Sequence, residues 1–117
     1  DVTGAHTFLL NRFKHAESVI FLAHEGVEPV GFTQLYPSFS SASMARIFIL
    51  NDLFVREDAR LKGVARKLIE AATGFAWAAG AARLTLSTAM TNTRAQAVYE
   101  SPGWQRDEQI YVYNFSL

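Results

Sequence analysis

Apolar and polar positions follow two different rhythms along this chain. Val19-Ile20-Phe21-Leu22-Ala23 is β-branched and aromatic enough to predict a strand. Glu25-Gly26-Val27-Glu28 reads as a turn, and Pro29 to Tyr36 returns as the second arm of a hairpin. Pro37 to Ser43 is Ser-rich and reads as a loop. Arg46 to Val55 is long and almost wholly apolar, as a central strand buried on both faces would be. The rhythm then changes. Ala65, Leu68, Ile69, Ala72, Phe75, Ala76 and Ala79 fall on one stripe at helical spacing, and Gly80 follows as a helix-ending glycine does. Arg83 to Thr88 is again a strand. Strand, helix and strand predict a βαβ unit with parallel strands and a right-handed crossover.

The flanks are shorter elements. Thr3 or Thr7 can cap a first helix running to about Ala16, with Phe8, Leu9, Arg12 and Phe13 as its apolar stripe and charged edge. A short helix is predicted from about Thr93 to Ser101, stopped by Pro102-Gly103. Trp104 to Arg106 and Ile110 to Phe115 are expected to close the sheet as an antiparallel pair, Tyr111, Tyr113 and Phe115 alternating as packing residues.

Two breaks in this pattern carry the candidate chemistry. Asn51 and Asp52 interrupt the long apolar strand, a costly placement unless they are paired or lie in a cleft. Arg60-Leu61-Lys62-Gly63-Val64-Ala65 lies between that strand and its helix. Gly63 permits a conformation or a close approach that a Cβ would hinder. Lys62, Gly63, Val64, Ala65 and Arg66 can offer successive N–H groups before helical hydrogen bonding begins. Backbone donors, a helix N-terminus and cationic side chains around one point favour a phosphate. Taken alone, a glycine in a strand-to-helix turn is more often just a turn.

Composition narrows the classes. The 117 residues with 50% hydrophobic content suit a single domain over residues 1–117. Eleven basic and eleven acidic residues balance, so bulk charge gives no reason for nucleic-acid binding. There is no cysteine, hence no thiol nucleophile and no cysteine-ligated metal. His6, His15 and His24 match no metal spacing, so no metal is expected. No apolar run reaches the ~18 residues of a membrane span, and no signal-peptide pattern is present. An intracellular, cytoplasmic protein without membrane attachment is expected. Neither a G-x-x-x-x-G-K-[ST] loop nor a G-x-G-x-x-G fingerprint occurs.

With these residues in view, the chain resembles the GNAT superfamily of acyl-CoA-dependent N-acyltransferases. Their pattern [Q/R]-x-x-G-x-[G/A] is matched from Arg60 to Ala65. A second pattern, N-x-x-A-x-x-x-Y-x-x-x-G-[F/W], is matched by Asn92, Ala95, Tyr99, Gly103 and Trp104, in the family's order and at its separation. The resemblance spans about Val19 to Leu117, with the first helix as a plausible second helix of the fold. It implies an α/β (α+β) domain with a mixed, splayed central sheet flanked by helices. The strand and helix that usually open the fold are missing, so the domain is expected to be N-terminally incomplete. The exposed sheet edge this leaves points to a homodimer.

The resemblance further implies acetyl-CoA as cosubstrate, lying across Leu53 to Ala65. Its pyrophosphate would sit on Arg60, Leu61, Lys62, Gly63, Val64, Ala65 and Arg66. Its pantetheine arm would pair with backbone near Phe54 and Val55, between splayed strands. The Leu53 N–H would polarise the thioester carbonyl. Tyr99 is the candidate general acid: a phenol of pKa about 10 can protonate a leaving thiolate whose conjugate pKa is about 8.5. The alternative for Tyr99 is a helix residue covering the core. Asp52 can take a proton from the acceptor amine directly, act through water, or bind the ammonium; pairing at a strand bulge is an equally good role. Asn51 can hold a water but cannot be a base, and relatives often carry a glutamate there. Asn92 can hydrogen-bond the pantetheine or the substrate, or cap the Tyr99 helix. Tyr36, Phe39 and Ser40 can shape an acceptor pocket or belong to an ordinary loop.

The leading reading is therefore N-acetyl transfer from acetyl-CoA to a primary amine of a small molecule or peptide, by direct attack in a ternary complex. A non-catalytic acyl-CoA-binding module is the alternative, since Asn51 makes a poor base. A nucleotide-binding α/β domain is the third reading, weakened by the missing P-loop.

Overall fold

The computed structural model describes residues 8–14, 18–41, 44–60, 62–87, 93–100, 103–107 and 113–116. Five strands form one sheet in sequence order: β1 (Phe8–Lys14), β2 (Val19–Glu25), β3 (Glu28–Ser40), β4 (Ala45–Val55) and β5 (Arg83–Thr85). The first four are antiparallel neighbours and β5 runs parallel to β4. Helix α1 (Val64–Ala78) joins β4 to β5, and α2 (Thr93–Glu100) follows. The predicted βαβ unit is thus present. So is the mixed, helix-flanked sheet.

Three elements differ from expectation. Residues 8–14 are a strand, not part of a helix, and pair with β2 from Phe8↔Glu25 to Lys14↔Val19. The run of apolar residues served either period, and the free edge of β2 decided it: tertiary pairing overrode local preference. The remainder of the expected helix lies outside the described residues. Second, β3 does not stop at Tyr36 but runs through Pro37 to Ser40, paired with β4. Its ladder with β2 ends at Val19↔Leu35, so beyond that point β3 has a described neighbour on one side only. An edge position tolerates proline. Third, residues 104–107 and 113–116 are not strands, and residues 110–112 of the expected closing pair lie outside the described residues. The expected strand to Thr88 ends at Thr85; Leu86 and Ser87 continue as coil.

The core lies between one sheet face and α1. Val64, Leu68, Ile69, Ala72 and Ala76 are the buried residues of the helix. The helix packs on Val19, Phe21 and Ala23 of β2, Val30 and Leu35 of β3, and Phe48 and Leu50 of β4. Phe75 meets Phe21 and Phe48 edge-on, with ring centroids 5.8 and 5.4 Å apart. The helix ends in a Schellman turn. Gly80 adopts φ 74°, Gly80 N–H donates to Trp77 O, and Ala81 N–H donates to Ala76 O. β4 is not buried on both faces: Ile49 and Phe54 are 37% and 49% exposed on the face away from α1.

Candidate active site

Asn51 is the extra residue of a β-bulge. Opposite β3 the register runs Leu35↔Leu50 and then Gln34↔Asp52, which leaves Asn51 without a partner position. The core shows why the bulge is there. Before it, Phe48 and Leu50 face α1; after it, Leu53 and Val55 do. The inserted residue switches the inward set from even to odd positions, and so turns Asp52 and Phe54 outward. Thr33, wholly buried, donates its hydroxyl to the Asp52 carbonyl at 2.6 Å and anchors the bulge. Asn51 Nδ2 donates to Asp52 Oδ2 at 3.1 Å, and both side chains are exposed. The polar break in the apolar run thus signals a bulge.

Past the bulge, β4 has no neighbour on one side among the described residues. The ladder to β5 covers only Ile47↔Arg83 to Ile49↔Thr85. Opposed residues of an antiparallel ladder alternate between pairs that exchange N–H···O bonds and pairs that do not. Arg56 N–H donates to Val30 O at 2.7 Å, so by alternation Phe54 also directs its backbone groups to β3. Leu53 and Val55 direct theirs the other way, into the opening beside β5. Of the positions expected to offer backbone to an added extended segment, Leu53 and Val55 therefore point away from β3 and Phe54 points toward it; the Val55 carbonyl already accepts from Arg60 Nε.

The turn after β4 is tightly fastened. A short 3-10 turn, Glu57–Ala59, carries Arg60 back to the strand end, where its Nε donates to Val55 O at 3.0 Å. Arg56 Nε donates to Asp58 Oδ1 at 2.6 Å, and Arg56 also lies 3.8 Å from Glu28. The hydrogen bond from Arg56 holds the Asp58 carboxyl below the usual carboxylate range, and the same bond raises Arg56. Lys62 lies 3.8 Å from Glu25 at the end of β2. The hairpin tip Glu25–Glu28 thus anchors the turn through Lys62 and Arg56, a role the sequence did not reveal because the partners are distant along the chain.

Gly63 caps α1 with φ 80° and ψ 10°, the left-handed region. Nothing lies within 4 Å of where its Cβ would stand, so the conformation alone requires glycine here. The first helical bond is Lys67 N–H to Gly63 O, at 3.1 Å. The N–H groups of Val64, Ala65 and Arg66 precede it and have no intrahelical acceptor. No acidic residue stands in the first turn of α1. Three such donors at a helix start, with Lys62, Arg66 and Lys67 in the same turn, fit a pyrophosphate. Leu61 lies outside the described residues.

Tyr99 is half-buried on α2, and burial pushes its phenol above the ordinary value. Its ring stacks obliquely on Trp104, 5.9 Å between centroids. Among the described residues no hydrogen bond joins Tyr99 to Asn51 or Asp52. The structure brings Asn51, Asp52 and Leu53 together at the bulge, and Lys62 to Arg66 together at the helix start. Asn92 lies outside the described residues. A cleft of about 470 Å³ beside α1 is lined by Arg66, Ile69, Glu70, Thr73, Gly103 and Trp104, with neither Asn51 nor Asp52 among them. Among the described residues no group of three or more potential metal ligands occurs, and no helix is long and apolar enough to cross a membrane.

Comparison with known proteins agrees with this geometry. The family model described as the acetyltransferase (GNAT) family matches residues 3–104. An uncharacterized N-acetyltransferase of Bacillus subtilis, YhfO, is 50% identical over 113 residues, covering 97% of this chain and 76% of that protein. A D-amino-acid N-acetyltransferase of Saccharomyces cerevisiae, HPA3, is 33% identical over 87 residues, 74% of this chain and 54% of the yeast protein. Among solved structures, a probable acetyltransferase superimposes with a TM-score of 0.79 at 45% identity, over 86% of this chain and 68% of that one. At 23% identity the aminoglycoside acetyltransferase AAC(6')-Iy, solved with a bisubstrate analogue, shares the fold with a TM-score of 0.73, over 88% of this chain and 72% of that one. A bulged, splayed β4 feeding a glycine-capped helix is thus found in a chain that belongs to the acetyltransferase (GNAT) family, the acetyl-CoA-dependent N-acetyltransferases.

Proposed function

We propose that this chain acetylates a primary amine by direct attack on the thioester, with the reacting groups meeting at the Asn51 bulge. The observation that carries this reading is the bulge itself: it aims the Leu53 backbone into the opening beside β5 and the Asp52 carboxylate out of the opposite face. Acetyl-CoA supplies the activated acetyl group. The N–H groups of Val64 to Arg66, with Lys62, hold its pyrophosphate. Leu53 offers its backbone groups, and Val55 its N–H, to the pantetheine arm, the Val55 carbonyl being taken by Arg60, and the Leu53 N–H stabilises negative charge on the thioester oxygen. Asp52 binds the ammonium and accepts its proton, directly or through a water held by Asn51. Tyr99 returns a proton to the departing thiolate. Burial raises its phenol and so keeps it protonated for that purpose. Holding both substrates in one complex supplies much of the rate by proximity. With no cysteine in the chain, no thiol is available to carry the acetyl group covalently.

The acceptor class this supports is a small-molecule or peptide amine, and the edge of β1, which has no neighbour among the described residues, supports a homodimer. Initial-rate kinetics of thiol release test the reaction. Intersecting double-reciprocal lines are expected when amine and acetyl-CoA are varied together, and parallel lines would refute the ternary complex. Asp52→Asn should lower kcat/KM for the amine about 100-fold. A fall below threefold would remove Asp52 from the reaction.

A further inference from the structure

We propose that the acceptor is an amine carried on an apolar, ring-bearing body. Its nitrogen sits at Asp52 and its body lies on Phe54 and Phe32, on the sheet face away from α1. The proposal rests on the amine-acetylation reading above and narrows it.

The register places three cross-strand pairs in line on this face. Phe32 opposes Phe54, Gln34 opposes Asp52, and beyond the bulge Tyr36 opposes Ile49. The polar step therefore lies between two apolar steps. The apolar steps are open: Phe54 is 49% exposed, and Tyr36 and Ile49 are 37% exposed each. Phe32 and Phe54 sit 6.0 Å apart between ring centroids at an interplanar angle of 34°, forming a tilted shelf. The Asp52 carboxylate adjoins that shelf, and its one described hydrogen bond comes from Asn51.

Charge and shape select the occupant. An exposed carboxylate that is the only one in this apolar stripe among the described residues attracts one cation at one point. Residues two apart along a strand are about 7 Å apart, the scale of a short linker between a ring and its amine. A ring laid on Phe54 and Phe32 gains aromatic contact and removes their surface from water. The ammonium next to it gains from the ring faces as well as from Asp52. A polyamine or a hydroxylated amine would instead lay polar groups on the shelf and lose hydration there. The transferred acetyl carbon bonds to the amine nitrogen, the C–S bond breaks, and the nitrogen's proton leaves by way of Asp52, whatever the body.

The test is thiol release from acetyl-CoA with 2-phenylethylamine, ethylamine, ethanolamine and spermidine as acceptors. KM for 2-phenylethylamine should lie at least tenfold below that for ethylamine, each buried methylene equivalent being worth roughly fourfold. Phe54→Ala should collapse the ratio of the two KM values toward one, and Phe54→Leu should keep most of it. Because the ratio compares two amines in the same variant, a change in acetyl-CoA binding cancels. Equal KM values for the two amines, a preference for ethanolamine or spermidine, or an unchanged ratio in a folded Phe54→Ala protein would overturn the proposal alone. Absence of thiol release with every amine would overturn the acetylation reading itself.

Discussion

The Arg60 guanidinium donates to the Val55 carbonyl at 3.0 Å, so the first residue of the phosphate-turn signature is spent on the backbone of the preceding strand. Val55 is one of the two positions whose backbone groups face the opening beside β5. Arg60 therefore fixes where the open edge of β4 ends and where the turn begins. Replacing it by Ala should leave the fold intact and loosen the turn. One exposed, charge-assisted hydrogen bond is worth about 1 kcal/mol, or roughly fivefold in the Kd for CoA measured by calorimetry. Lys at this position, without the planar fork, should recover little of it. Wild-type affinity in Arg60→Ala would show that the bond does not organise the site.

Gly63 separates two demands that usually travel together. Its φ of 80° is unfavourable for any residue with a Cβ, yet nothing within 4 Å would touch that Cβ. Gly63→Ala should cost about 1–2 kcal/mol of stability by conformation alone, read as a lower denaturation midpoint at unchanged m-value. Gly63→Asn should recover much of this loss, since Asn tolerates the left-handed region. If the turn holds pyrophosphate, neither variant should recover CoA affinity, because either side chain stands beside the helix donors. Full affinity in Gly63→Asn would place the anion elsewhere.

Tyr99 gives a pH expectation whose sign is fixed by burial. A proton donor works while protonated and fails as pH rises through its pKa. Desolvation raises this phenol above its ordinary value of about 10, so the descending limb of kcat/KM, which reports the free enzyme, should lie on the alkaline side of that value. A descending limb between pH 8 and 9 in the wild type would assign the proton to another group. Tyr99→Phe should lower kcat 10- to 100-fold and leave the Kd of CoA close to wild type.

Local pattern made the centre of this molecule legible and left its margins ambiguous. Leu68, Ile69, Ala72 and Ala76 of the helical stripe are buried and Gly80 stops the helix as periodicity put them, while Val64 rather than Ala65 begins the buried face and Ala79 is exposed. The polar interruption at Asn51 and Asp52 marked a break whose form as a bulge the structure supplied. The stretch Phe8 to Phe13 reads as a helix, yet three apolar residues, two polar ones and a further apolar one over so short a run satisfy a strand as well. The pairing partner β2, not the segment itself, resolved it. Pro37 misled for the same reason: a proline breaks a central strand but not one with a single neighbour. The contacts of Lys62 with Glu25 and of Thr33 with Asp52 link distant positions, so no local pattern could announce them.

Gly31 is the point where the sheet and the phosphate turn meet, and it gives the sharpest test of how the two are coupled. A Cβ there would stand 2.8 Å from Phe54 O, 3.2 Å from Val64 Cγ1 and 3.3 Å from Leu68 Cδ1. Val64 is the first residue of α1, directly after Gly63, and Phe54 lies between the two open backbone positions of β4. The close contact with a backbone oxygen cannot be relieved by a rotamer change, so α1 or β4 must shift. Gly31→Ala should therefore destabilise the protein by about 1–3 kcal/mol, the usual cost of overpacking. It should also weaken CoA binding, because the elements that must shift carry the anion donors and the open strand edge. Adding Val64→Ala would remove one of the two side-chain contacts and leave the Phe54 contact. The double variant should regain part of the CoA affinity, and any recovery of stability is limited by the cavity left at Val64. If Gly31→Ala matched wild type in both denaturation midpoint and CoA affinity, the spacing between α1 and β3 would not be what sets the site.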